Sequence, residues 1–225
     1  MNMDSTQPIT WRRYGPSGLI FTFSDHAGEK VFERLHSVAE TIENSPPPDL
    51  VDYFRGYTTL TLEFSEPSAA HLESLAVELA NAWNARPPLE SESRLIEIPV
   101  RYDGPDLPRV AQHAGLSVKE VCSIHLSANY RVHMIGFCPG FPYLHGLDPR
   151  LNTPRLDTPR TLVSAGSVAI GGEQTGIYPV NRPGGWNIIG HTLEKLFHPD
   201  LARGGNPEKA FLLRAGDLIR FVPAR

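Results

Sequence analysis

The sequence has few of the features that mark exported or membrane proteins. Its 225 residues include only two cysteines, Cys122 and Cys138, and we expect two thiols rather than a disulfide. No apolar run approaches the roughly 20 residues that cross a bilayer, and the start, MNMDSTQPIT, has no secretory pattern. We therefore expect a cytoplasmic protein without membrane association.

Familiar catalytic and binding motifs are lacking as well. The sequence has neither the lysine and following Ser or Thr of a P-loop nor a Gly-x-Ser-x-Gly elbow, and no lysine adjoins Met134 as a biotinylation motif requires. The histidines have no short metal-ligand spacing, so no metal site is predicted. No basic run is interleaved with aromatics, which makes nucleic acid a poor candidate partner. The catalytic residues stay unknown at this point.

Charge divides the chain into two unequal parts. Residues 1–90 carry 13 acidic and 6 basic residues, whereas residues 91–225 carry 12 acidic and 15 basic ones. A change of sign between halves indicates two domains. With a Pro-containing linker at 84–93, we predict an N-terminal domain at 1–88 and a C-terminal domain at 89–225.

The N-terminal part alternates strand-like and helix-like patterns. Apolar residues recur at three- and four-residue steps in the two helical segments, and β-rich runs lie between them. The order β-α-β-β-α-β is that of the split-βαβ, ferredoxin-like unit. The predicted elements are strand 18–23, helix 27–43, strands 50–57 and 58–64, a helix from Ser65 or Ser68 through Trp83, and strand 94–100. This last strand follows the linker, so it is assigned to either domain at this point.

The C-terminal part begins with two short helices and then changes character. Helices are predicted at 106–115 and 117–128, the second with Ser117 as N-cap and Glu120 completing a capping box. Between Gly136 and Gly190 there are 10 glycines and 7 prolines, with short β runs between them. Many short strands joined by shaped loops predict a closed or nearly closed β barrel, and the whole chain is expected to be α+β.

Three segments in this part are candidates for a binding site. GFCPGFPYL places aromatic rings beside an irregular backbone, which suits a pocket wall or a partner surface; the alternative is that the rings plug the mouth of the barrel. SAGSVAIGGEQTG is rich in small residues that let a ligand approach backbone amides, or it is a plain hairpin with a glycine-rich turn. NRPGGWNIIGHT adds a cation, an indole and an imidazole, which suit a carboxylate; an ordinary wall residue at Trp186 is equally consistent.

Four motifs occur in order in the C-terminal part: GFCPGFPYLHGLDPRL, PRTLVSAGSVAIGGEQTGIYP, RPGGWNIIGHT and AGDLIRFVP. In order and spacing they resemble one protein family, which includes the B-type subunit of 5-oxoprolinase, the kinase inhibitor KipI and the allophanate hydrolase subunit 1 domain. The resemblance implies a small N-terminal domain and a cyclophilin-like β barrel, working with a companion cyclophilin-like subunit, the C-type subunit of 5-oxoprolinase, and with a lactam-opening subunit. It implies an ATP-dependent conversion of 5-oxoproline to glutamate. Because this chain has no recognisable nucleotide motif and no complete set of acid, base and nucleophile, we expect it to be inactive alone.

The sequence departs from the family pattern at three positions. Ser164 stands where the family commonly has proline, His191 where it commonly has arginine, and Leu156 where a second arginine often follows PR. In and around the candidate segments we expect nine substrate-binding residues, with Arg160 or Arg182 as the cation that binds an anionic group. They are Phe141, Tyr143, Arg160, Ser167, Gln174, Tyr178, Arg182, Trp186 and His191.

Two other functions remain open. The same resemblance is compatible with the carboxyltransferase part of a urea carboxylase. It is also compatible with a binding module that inhibits a histidine kinase, as in KipI.

Overall fold

The structure is a computed structural model that describes residues 7–65, 67–85 and 93–224. The chain divides into two compact units, Met1–Glu92 and Ser93–Arg225, each with its own apolar core. The predicted boundary between 88 and 89 falls outside the described residues. Within the described residues, no helix has the length and apolar character needed to span a bilayer.

The first unit is a four-stranded antiparallel sheet covered by two helices. The strand order is β1-β2-β4-β3. Alternate residues of the central strands, such as Leu19, Phe21, Leu60 and Leu62, are fully buried, and Trp83 of the second helix packs edge-on against Phe21 at 4.7 Å between ring centroids. The elements are β1 (Thr10–Tyr14), β2 (Gly18–Thr22), α1 (Glu29–Asn44), β3 (Leu50–Arg55), β4 (Thr59–Phe64) and α2 (Ala69–Ala85).

The predicted β-α-β-β-α-β unit is wrong at its last strand. The strand at β5 (Leu95–Val100) belongs to the second unit, where it pairs in parallel with β13 (Leu218–Pro223). The fourth strand of the first sheet is β1, which pairs with β2. β1 escaped prediction because its sequence, TWRRY, is mostly exposed and lacks the apolar alternation of a half-buried strand.

The second unit is a curled seven-stranded sheet packed on two helices. The strand order is β12-β9-β10-β7-β6-β13-β5, and a separate two-stranded sheet pairs β11 with β8. The predicted capping box at Ser117 and Glu120 is present. The further elements are α3 (Leu107–Ala114), α4 (Val118–Ser127), β6 (Asn129–Ile135), β7 (Pro142–His145), β8 (Arg160–Val163), β9 (Ser167–Gly171), β10 (Gln174–Ile177), β11 (Arg182–Gly184), β12 (Asn187–His191) and α5 (Pro199–Arg203).

The two edge strands of this sheet are hydrogen-bonded to each other. The amide of Arg101, which follows β5, donates to the carbonyl of His191 at 2.9 Å, and the His191 amide donates back at 2.8 Å. The amide of Gly104 continues the contact to the carbonyl of Ile189 at 3.2 Å. A Cβ at 104 would overlap the backbone of Ile188, so glycine permits this approach. The α+β class predicted from sequence is confirmed.

The curled sheet has two unlike faces. Its inner face, which packs on α3 and α4, carries the aliphatic side chains of the main core, including Leu144, Val168, Ile170 and Ile177. The outer face carries the residues that alternate with them, among them Tyr143 and Ala169. A smaller core therefore lies on the outer face, beneath β8 and the loops around it.

Candidate functional site

A cavity of about 280 Å³ lies over the outer face of the curled sheet. Its walls come from the loop after β6, the segment before β8, and the turn between β11 and β12. A small, mostly apolar concavity with a few polar groups is the usual form of a small-molecule site. The lining residues are Phe137, Phe141, Tyr143, Arg155, Leu156, Pro159, Tyr178, Pro183, Gly184, Gly185 and Trp186.

Phe141 is the centre of the aromatic wall. Its ring makes edge-to-face contacts with Tyr143 at 5.0 Å, with Tyr178 at 5.2 Å and with Trp186 at 5.4 Å between centroids. Such arrangements are favoured by the ring quadrupoles and add to the gain from burial. Phe141, Tyr178 and Trp186 are almost fully buried, so the wall is preformed.

Glycines beneath the cavity make room for these rings. A Cβ at Gly171 would overlap the indole of Trp186, and a Cβ at Gly184 would overlap the Tyr178 hydroxyl. A Cβ at Gly176 would lie 3.1 Å from both the Phe141 and Trp186 rings. Of the two alternatives predicted for the GGEQTG segment, it forms the glycine-rich hairpin between β9 and β10. Its glycines have a packing role, because they let aromatic side chains lie flat on the sheet.

The proline- and glycine-containing loop between β6 and β7 folds back on itself. The amide of Gly136 donates to the carbonyl of Phe141 at 3.1 Å, and the amide of Phe141 donates to that of Cys138 at 3.1 Å. Phe137 adopts a left-handed conformation, with φ of 64°, which is uncommon for a bulky residue, and its side chain is 60% exposed. Strain of this kind clusters at functional sites, and here it holds an aromatic ring at the cavity rim.

Arg155 is a lining residue that the sequence prediction missed. Its guanidinium carbon lies 5.7 Å from the centroid of the Trp186 ring, within cation–π range. The sequence signal for Arg155 was the run TPR, which ends at Arg155 and precedes Leu156. At the position of Leu156 the family commonly has a second arginine. The prediction gave weight to the missing arginine and overlooked the one that is present.

Burial and nearby cations act in opposite directions on the pKa values of the site. Burial raises the pKa of Tyr143, and the positive charge of Arg155 partly offsets the rise. Burial also raises the pKa of Tyr178, opposed by a hydrogen bond from the Trp186 backbone and by Arg155. The pKa of Cys138 is raised by burial and lowered in part by Arg182. Both phenols are therefore neutral near pH 7, and Cys138 is a thiol, which makes it a poor nucleophile.

Four of the nine predicted site residues meet at this cavity, namely Phe141, Tyr143, Tyr178 and Trp186. Of the five that do not line it, Arg160 is held by a salt bridge to the buried Asp106 at 2.7 Å. The other oxygen of Asp106 accepts from the Ile188 amide at 2.6 Å. This pair links β8 to β12, so the Arg160 charge is already neutralised by a structural partner.

Three of the other predicted residues, Ser167, Arg182 and His191, lie around the turn that follows β8, whereas Gln174 lies at the opposite end of β9. His191 forms a hydrogen bond with the carbonyl of Ala165 at 2.9 Å, in the turn that contains Ser164, so two departures from the family pattern are neighbours in space. Ser167 is buried and lies opposite His191 in the sheet, whereas Gln174 and Arg182 lie on β10 and β11. None of these side chains lines the described cavity.

His125 lies on the opposite, inner side of the sheet and is fully buried. Its ring nitrogens form hydrogen bonds with Tyr102 at 2.6 Å and Thr175 at 3.0 Å, and Thr175 donates to the carbonyl of Ala169 at 3.0 Å. Burial lowers the pKa of His125 to about 3. The ring is neutral at physiological pH and has a structural role in the core.

Comparisons with a family profile and with known proteins indicate the same family. The sequence profile of the family described as "Carboxyltransferase domain, subdomain C and D" matches residues 9–204. A protein of Escherichia coli O157:H7, named as the B-type subunit of 5-oxoprolinase, is 48% identical over 196 residues, which is 86% of each chain. A putative urea carboxylase of Emericella nidulans is 29% identical over 78% of this chain, which matches only 14% of that protein.

A solved structure agrees with the sequence matches. The crystal structure of a protein called TTHA0988 is 39% identical and superposes with a TM-score of 0.77 over 92% of this chain, which spans only 40% of that longer chain. The profile match and the identity to the Escherichia coli protein cover most of the sequence. This chain therefore belongs to the family of carboxyltransferase-domain subdomains C and D, in the group of proteins named as B-type subunits of 5-oxoprolinase.

Proposed function

We propose that this chain is the B-type subunit of an ATP-dependent 5-oxoprolinase complex, which converts 5-oxo-L-proline to L-glutamate. The identity to a protein named as a B-type subunit of 5-oxoprolinase, over 86% of both chains, supports this assignment. The complex is proposed to be cytoplasmic and to contain a companion cyclophilin-like subunit and a lactam-opening subunit. In this proposal the first unit is a variant of the ferredoxin-like fold, and the second is the cyclophilin-like barrel.

The observation that carries the proposal is the preformed aromatic cavity with one guanidinium at its wall. Its volume of about 280 Å³ is suited to a small ring rather than to a nucleotide or a peptide. 5-Oxoproline is a five-membered lactam with one carboxylate, so it has an apolar ring for the aromatic wall and a charge for the cation.

The chemistry explains why a binding subunit is useful. A lactam is a resonance-stabilised amide, and transfer of the ATP γ-phosphoryl group to its oxygen activates the ring carbon. Water then adds at that carbon, the C–N bond breaks to free the amine, and hydrolysis of the resulting acyl phosphate releases phosphate and glutamate. Binding that orients the ring contributes by proximity. The described residues of the cavity include no carboxylate base, and Cys138 has a raised pKa, so the reacting groups are assigned to the partner subunits. ATP is likewise assigned to the complex.

The test is reconstitution of the complex with and without this chain. We expect ATP-dependent glutamate formation from 5-oxo-L-proline only when this chain, the companion subunit and the lactam-opening subunit are all present. The chain alone should release neither glutamate nor phosphate. Full turnover by the other subunits in the absence of this chain would contradict the proposal.

A urea carboxylase part is the second candidate, favoured by the similarity to a putative urea carboxylase. In that case the partner would carry carboxybiotin, and urea would be the acceptor. Replacing 5-oxoproline by urea in the assay, with a biotin carboxylase and biotin carrier added, separates the two functions. The predicted alternative of histidine-kinase inhibition remains an untested prediction.

A further inference from the structure

The wall of the aromatic cavity contains a single charged residue among the lining residues that the structure describes, namely Arg155. Its guanidinium stands over Trp186 at 5.7 Å, and its positive charge lowers the pKa of both Tyr143 and Tyr178 against the effect of burial. The charge therefore acts inside the cavity. An apolar cavity with one cation selects a small ligand with one negative charge.

Among the described residues, Arg155 has no acidic partner, in contrast to three other arginines of this unit. Arg94 is paired with Asp217 at 2.6 Å, Arg150 with Asp148 at 2.7 Å, and Arg160 with Asp106 at 2.7 Å. Arg155 forms no such pair with any residue in the described parts of the chain. A guanidinium beside aromatic rings without an internal counter-ion is available to a ligand carboxylate, which it can bind through two parallel hydrogen bonds.

The backbone on both sides of Arg155 is fixed. The Pro154 carbonyl accepts hydrogen bonds from Arg109 at 3.1 Å and from the side-chain amide of Asn187 at 3.0 Å. Asn187 is fully buried and also accepts a hydrogen bond from Arg109. On the other side, the Leu156 amide donates to the Gly185 carbonyl at 2.7 Å. These bonds hold the Arg155 backbone next to the Trp186 turn, so less flexibility is lost when a ligand binds.

We propose that Arg155 binds the carboxylate of the ring-shaped ligand in this cavity, with the ring packed on Trp186, and that Arg109 and Asn187 are positioning residues for Arg155. The assignment rests on the proposed function for the identity of the ligand, a cyclic amide carboxylate. It replaces the predicted role of Arg160 or Arg182 as the anion-binding cation, because Arg160 is neutralised by Asp106 and Arg182 does not line the cavity.

The experiment compares two ligands that differ only in the carboxylate. Binding of 5-oxo-L-proline and of 2-pyrrolidinone, the same lactam without a carboxylate, is measured by calorimetry on the purified chain and on the assembled complex. The unmodified protein should prefer 5-oxo-L-proline by at least roughly tenfold, since only this ligand can form a charge-assisted hydrogen-bonded pair with the guanidinium. Arg155→Gln should reduce this preference to near unity, and Arg155→Lys should leave an intermediate preference.

Two controls separate a local effect from misfolding. Arg203→Gln removes an exposed arginine of α5, outside the cavity, and should keep the full preference. Arg155→Gln should retain its affinity for 2-pyrrolidinone and its melting temperature, which an unfolded variant would not. Arg109→Gln should lower the preference without abolishing it, because it acts only through the position of Arg155.

The outcomes distinguish this inference from the proposed function. An unchanged ligand preference in Arg155→Gln overturns the assignment even if the complex turns over 5-oxoproline. Failure of both the chain and the complex to bind 5-oxo-L-proline in preference to 2-pyrrolidinone overturns it as well. A complex that shows the Arg155-dependent preference but makes no glutamate refutes the proposed function and leaves the carboxylate site supported.

Discussion

The two faces of the curled sheet are built from the same strands but serve different purposes. On β9, Val168 and Ile170 point to the inner face and complete the main core, whereas Ala169 and Gly171 point to the outer face. On β7, Leu144 is inward and Tyr143 outward. The inner face is filled with buried, mostly aliphatic side chains, while the outer face combines small residues with large rings.

This difference shows how one strand supports both stability and binding. Close-packed aliphatic groups stabilise the folded state, and removal of even one methylene lowers the free energy of unfolding. Glycine contributes no such contacts, but it allows Trp186 and Phe141 to lie against the sheet and form a rigid wall. Substitution of an inner-face residue should therefore lower mainly the stability of the protein, whereas substitution of a neighbouring outer-face residue should lower mainly the turnover.

The largest effect on stability is expected at the inner face. Ile170→Ala removes a fully buried side chain and should lower the free energy of unfolding by about 2–5 kcal/mol, measured by urea denaturation. Glutamate formation per folded complex should stay unchanged below the melting transition. A large loss of turnover with normal stability would contradict the assignment of the inner face to stability rather than to turnover.

A pH-dependent loss of stability is expected next, from His125. Because the folded protein lowers the His125 pKa to about 3, the unfolded chain takes up a proton near pH 6.5 while the folded chain does not. The contribution of His125 to the free energy of unfolding is fully present above pH 6.5 and decreases below it, by about 2 kcal/mol between pH 7.5 and pH 5. His125→Gln should lose this contribution, so its stability should fall less over the same interval. Parallel curves for the two proteins would show that His125 does not titrate in this way.

The smallest change in stability, with the clearest change in activity, is expected at the outer face. In Gly171→Ala the new methyl group overlaps the Trp186 indole, which must shift into the cavity. We expect at least roughly tenfold lower turnover of 5-oxo-L-proline in the complex, about 1.4 kcal/mol in activation free energy. Urea denaturation should show a smaller loss than for Ile170→Ala. Normal turnover would mean that the substrate does not bind against Trp186.

The helices and most strands followed from local patterns. α1 and α2 have apolar residues at helical spacing, Ser117 and Glu120 form a capping box, and turn residues separate the short strands of the second unit. These signals depend on residues that are close together in the sequence, so they can be recognised without knowledge of the tertiary structure. β1 was missed because an exposed edge strand needs no apolar alternation, and it is held by its pairing with β2.

The candidate site was only partly predictable. The aromatic residues of GFPY and PGGW stand out because rings beside proline and glycine rarely serve a regular element, and four predicted residues do line the cavity. Arg155 was not distinguishable from Arg160 and Arg182 by residue type. Which arginine is already neutralised depends on Asp106, which is 54 residues from Arg160 in the chain.

By itself, then, the sequence determined the α+β class, the order of most elements, the aromatic character of the site and the family resemblance, because each is encoded in residue type and short-range spacing. Tertiary structure alone decided which strand completes each sheet and which face of β9 and β10 bears the cavity. It also decided which arginine faces the rings. These features depend on pairings between residues far apart in the chain, and their free energies arise only when the sheet has curled and brought them together.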